Sequence, residues 1–152
     1  MAITEQEAIK SAEKAEGRVV NVIGPVVDVE LPPEHLPEID TAIEITRETN
    51  EGSDTIVAEV SQHIGMGIVK AICMQPTDGL RRGAKVRNTG EPIKVPVGNE
   101  TLGHVWNVVG KPLDTERVEV KERWPIHRDP PPFNELEPKV EMFETGIKVI
   151  DL

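Results

Sequence analysis

The sequence predicts a mainly β chain whose first half closes into a six-stranded barrel, and three observations predict it. Thirteen Pro and twelve Gly punctuate 152 residues, the texture of short strands joined by turns. Between these breaks stand Val- and Ile-rich runs in which apolar and polar residues alternate. No helical periodicity interrupts residues 17–90. A sheet of short strands has two open edges, and closing it into a barrel removes both.

Residues 1–16 (MAITEQEAIKSAEKAE) hold four Glu and no Arg, with too few apolar residues for a buried stripe, so they read as a flexible tail rather than a transit peptide. Strand texture starts at Gly17. Gly17–Ile23 and Val26–Leu31 are divided by Gly24-Pro25, and period two places Val27, Val29 and Leu31 on one face and Asp28 and Glu30 on the other. A Pro-bounded loop leads to a strand at Ala42–Arg47 with Ile43 and Ile45 inward. The polar turn Asn50–Asp54 then makes a hairpin with Thr55–Gln62. Gly65 and Gly67 break the chain before Ile68–Met74. Pro76-Thr77-Asp78-Gly79 is a turn, since Pro presets φ and Gly accepts positive φ. Ala84–Asn88 is the sixth strand, and the barrel domain spans 17–93.

Beyond residue 93 the texture changes. Asn99–Leu102 reads as a turn of helix, His104–Val109 as a strand, and Arg117–Glu122 as a second alternating run. Pro125–Pro138 reads as a stiff extended crossing, and Thr145 as the cap of a helix from Gly146 carrying Ile147, Val149 and Ile150. Residues 94–152 are therefore expected to be the incomplete beginning of an α/β domain. Ending at Asp151-Leu152 inside an apolar helical segment predicts a longer parent polypeptide.

Composition excludes several function classes. The net charge of −10 opposes a surface built for nucleic-acid phosphates or anionic lipid. No apolar run approaches the roughly 20 residues of a membrane helix. Aromatics are 3% with no Tyr, so the core is aliphatic. The lone Cys73 allows no internal disulfide and reads as a buried thiol. Charge is uneven: residues 34–54 hold seven acids against Arg47, and residues 80–94 hold five basic residues against Glu91. Such runs are solvated faces or, more sharply, complementary patches between neighbouring subunits.

Nucleotide motifs fail on their spacing. Gly98 and Gly103 have the glycine spacing of a phosphate-binding loop, but His104 and Val105 stand where Lys and Ser or Thr are needed. Gly110-Lys111 runs into Pro112. Both read as turns. His35, His63, His104 and His127 have no Cys or acid partners at ligand spacing along the chain. No catalytic, cofactor-binding or metal-binding residue is assigned.

The blocks themselves carry a resemblance. Gly17–Val20 into Gly24–Val29, Glu59–Gly65, Gln75–Gly83, Val95–Gly98, Thr101–Gly103, Asn107–Gly110, Pro125–Arg128 and Glu144–Leu152 keep the order and spacing found in F-type ATP synthase beta subunits, and the chain resembles that family over 17–152. Gln62–Gly65 and Pro76–Leu80 look like beta rather than alpha subunits. The departures are His104 where Arg is common, Trp106 where a smaller residue is usual, Lys70 where Arg is frequent, and the loop 31–42. The resemblance implies that this barrel alternates with alpha-subunit barrels in a crown of three alpha and three beta. It implies ATP, ADP and magnesium sites in the parent, all beyond Leu152, so the 152 residues themselves would be inactive. It also implies a central stalk partner and a peripheral place at the cytoplasmic face of the bacterial plasma membrane, with no direct membrane insertion and no nucleic acid. The rival reading is a stand-alone small barrel that binds peptide or oligonucleotide. It lacks aromatic stacking platforms, because both Trp and both Phe lie beyond residue 100.

Overall fold

The computed structural model describes residues 16–49 and 52–152. The tail reading at 1–15 and the turn residues Asn50 and Glu51 lie outside the described residues. Six strands, β1 (Glu16–Ile23), β2 (Val26–Glu30), β3 (Thr41–Thr49), β4 (Gly52–Gly65), β5 (Ile68–Cys73) and β6 (Lys85–Pro92), form a closed barrel. Their order around the wall is β1-β2-β5-β4-β3-β6, and every pairing is antiparallel. The six expected strands are all present, with β4 and β6 longer than their patterns suggested.

Alternation determines what fills the barrel. Val27 and Val29 of β2, Ile43 and Ile45 of β3, and Ile56, Ala58 and Val60 of β4 are completely buried. Val19, Leu31, Val69, Ala71, Cys73 and Val86 complete the same cluster, so every strand contributes. Each fully buried Val or Ile is worth about 1.5–3 kcal/mol of transfer free energy. Closure needs bent strands, and the register slips by a residue between Val19 and Asn21 in β1 and at two places in β4.

One turn shows why glycine is required. Leu31 N–H donates to Gly67 O at 2.8 Å, drawing the end of β2 against the β4–β5 turn. Gly67 has φ +77, and a Cβ there would stand 2.7 Å from Leu31 O. Any side chain would push the two backbones apart.

After the barrel, β7 (Lys94–Val97) and β8 (Glu122–Pro125) form a separate two-stranded sheet, in which Val95 opposes Trp124. A single helical turn, α1 (Lys148–Asp151), follows near the end. Three expectations need correction here. His104–Val109 is not a strand. It lies between turns, with one isolated bridge from Trp106 to Pro112, because no neighbouring strand offers a ladder and the Asn107 side chain organises a turn instead. The second extended run is displaced: residues 117–121 are irregular, and the strand begins at Glu122, where β7 supplies a partner. The terminal helix starts at Lys148 with Ile147 at the N-cap position, not at Gly146. Thr145 still serves this turn indirectly, because its hydroxyl accepts from Ile147 N–H and donates to Asp151 Oδ1 at 2.7 Å.

Candidate functional site

The two glycine motifs are turns closed by their own backbone hydrogen bonds. Around Gly98–Gly103, Thr101 N–H donates to Gly98 O and Leu102 N–H to Asn99 O, closing a 3-10 turn at Asn99–Thr101. A Cβ on Gly98 would meet the Glu100 carboxylate at 2.9 Å, so an acid stands against the backbone there. Glu100 is held below the usual carboxylate range, first by its own backbone N–H and then by Lys121, whose ammonium is 3.1 Å away. In the Gly110-Lys111 turn, the Asn107 carboxamide oxygen accepts from Val109 and Lys111 N–H. Gly110, at φ +70, packs so closely on Pro96 that a Cβ would lie 2.5 Å from the ring.

The fold gives three of the four histidines partners that the linear spacing concealed. His63 Nε2 lies 2.7 Å from Pro37 O, pinning the β2–β3 loop. His104 Nδ1 lies 2.7 Å from Asp114 Oδ2, and this contact is the main reason the Asp114 carboxyl is held low. Its ring meets Trp106 edge-on at 6.1 Å, and Trp106 Nε1–H donates to Thr101 O. No nucleophile is bonded to this His–Asp pair among the described residues, so it fastens a loop. His127 lies 3.0 Å from Glu59 of β4, a residue 68 positions earlier. Cys73 is buried in the barrel interior, where desolvation pushes its thiol up to about 11, which leaves it protonated and unreactive at neutral pH.

The outer wall carries the organised charge. Arg47 Nη2 donates to Asp54 Oδ2 at 2.6 Å, while its Nη1 donates to Pro76 O and Asp78 O at 3.1 and 3.0 Å. One guanidinium thus ties the β3–β4 hairpin to the 76–79 turn. Asp54 is held below the ordinary carboxylate range, chiefly by that Arg47 bond and then by Thr55 N–H. Arg87 on β6 pairs with Glu44 on β3 at 2.6 Å. The acidic run 34–54 and the basic run 80–94 therefore partly neutralise each other within one barrel. Arg81, Arg82 and Lys85 form no ion pair among the described residues. They rim a groove of about 280 Å³ that also includes Thr46, Glu48 and Leu80.

With this wall in view, the comparison with protein families can be placed on the structure. Residues 19–90 match the family model described as ATP synthase alpha/beta family, beta-barrel domain. Over those residues the barrel is similar to that domain. The family embraces alpha and beta subunits alike, and its match begins in β1 and ends within β6. The interior of this barrel is lined by the buried Val, Ile and Ala cluster described above. Among the described residues no helix is long and apolar enough to cross a membrane.

Proposed function

We propose that this chain is the amino-terminal part of the catalytic beta subunit of a proton-driven F-type ATP synthase, and that its barrel is an assembly module. In this reading residues 17–93 form the crown domain and residues 94–152 begin the nucleotide-binding domain, after a tail at 1–16. The chain itself holds no catalytic or nucleotide-binding residue. The parent would interconvert ATP with ADP and phosphate, using magnesium and a proton gradient, at the cytoplasmic face of the bacterial plasma membrane. Its partners would be alpha subunits in a ring of three alpha and three beta, and a central stalk. The observation that carries the reading is the match of the closed, aliphatic-filled barrel to the ATP synthase alpha/beta barrel domain. The beta assignment is supported by the Gln62-His63-Ile64-Gly65 and Pro76-Thr77-Asp78-Gly79-Leu80 blocks.

Arg81 and Arg82, unpaired among the described residues, are the basic groups best placed to meet a neighbouring barrel. Charges of this kind act mainly on association rate and salt sensitivity. The test mixes the chain with separately purified alpha and beta subunits of an F-type enzyme and follows complex formation by analytical ultracentrifugation. Association with alpha alone supports the reading. Association with beta alone would make this an alpha-type barrel, and association with neither would remove the assembly role.

A further inference from the structure

Three chain segments distant in sequence converge on one exposed corner of the barrel, where Asp40, Glu59 and His127 each offer a ligand atom within 4.8 Å of the others. His127 Nε2 is 3.0 Å from Glu59 Oε2 and 3.9 Å from Asp40 Oδ1. Two ligand atoms each at the roughly 2.1 Å of a zinc bond lie about 3.4 Å apart at a tetrahedral angle, so the measured spacings bracket the required one.

The charge balance points the same way. The Glu59 side chain is only 16% exposed, and among the described residues its hydrogen-bond partner is the imidazole. No Lys or Arg pairs with Asp40 or Glu59 among the described residues. The nearest cationic side chain in sequence, Arg128, lies over the Trp124 ring at 3.8 Å instead. Two neighbouring carboxylates without a fixed cation favour a divalent ion between them, and an imidazole in the set selects zinc-like metals over magnesium. The backbone holds the ligands in place: Asp40 N–H donates to Val60 O at 2.8 Å, and Ile126 N–H donates to Ile93 O at 3.0 Å.

We propose that Asp40, Glu59 and His127 bind one zinc-class divalent ion that fastens the segment after β8 to the barrel. The role is structural, it replaces the sequence expectation of no metal ligand, and it does not depend on the beta-subunit reading. The test titrates zinc chloride into the chelator-treated 152-residue chain by calorimetry in a non-coordinating buffer, with magnesium chloride as a parallel arm. One equivalent should bind, and affinity should fall about tenfold or more in His127→Gln and Glu59→Gln, each of which removes a ligand. Asp40→Asn should also weaken binding while keeping the left-handed backbone at φ 68, which Asn accepts. His104→Gln should bind as the parent does, and all variants should keep the parent far-UV spectrum. Absence of saturable zinc binding, or binding that survives both His127→Gln and Glu59→Gln, would overturn the proposal.

Discussion

In the barrel Ile43, Ile45 and Ile56 are completely buried, whereas after β8 Val140, Val149 and Phe143 are 97%, 91% and 86% exposed. Side-chain chemistry is nearly the same in the two regions; what differs is whether the backbone finds partners. In the barrel each strand has two hydrogen-bonded neighbours, so alternation directs every second side chain into one closed interior. After β6 the only ladder is the short β7–β8 pair, and among residues 94–152 Val109 is the one buried apolar side chain. Hydrophobic residues become a core only when the main chain closes around them.

Substitutions of equal chemistry in the two regions sharpen that contrast most. Ile45→Ala empties space inside the closed wall and should cost about 2–5 kcal/mol of unfolding free energy, read from urea denaturation. Val149→Ala, on an exposed turn, should stay within about 0.5 kcal/mol of the parent in the same experiment. Equal effects at both positions would break the comparison. Gly67→Ala should rank next, at about 1–3 kcal/mol, since it combines positive φ with a clash against Leu31 O.

The strands were legible because each carries its own signal: Val27, Val29 and Leu31 alternate, and Gly24-Pro25 and Pro76–Gly79 mark the turns. Closure followed from strand number and edge avoidance. The region after residue 93 was less legible because its pairing is decided by distant partners. Pro96 lowers the strand signal of β7, and its partner Arg123 lies far along the chain. The apolar run at His104–Val109 reads as a strand but meets no ladder. The His127–Glu59–Asp40 cluster was invisible in the same way, since no local spacing announces a contact made across 68 residues. The Arg47 clamp escaped too, because two of its three acceptors are backbone carbonyls in a distant turn.

A smaller effect concerns that clamp. Asp54 has a folded-state pKa below its unfolded value, so its bond to Arg47 stabilises the barrel above the unfolded pKa. That stability is lost as pH falls through the still lower folded pKa. Arg47→Ala should therefore be less stable than the parent at neutral pH, and the gap should narrow below about pH 4, where an ordinary Asp protonates. Melting temperatures measured from neutral pH down to pH 3 check this, and a gap that widens in acid would contradict it. Smallest of all, His104→Ala breaks a contact confined to the region after β7. It should shift global unfolding by less than about 0.5 kcal/mol while speeding amide exchange around Val105 and Leu113.

Amide hydrogen exchange of the intact chain, read residue by residue by NMR, tests the central claim most directly. The closed ladder predicts that Val27, Val29, Ile45 and Val69 exchange only through global unfolding and share one free energy, while amides of residues 128–144 exchange at nearly unfolded rates. Equal, strong protection across both regions, or a barrel that exchanges strand by strand with different free energies, would contradict it.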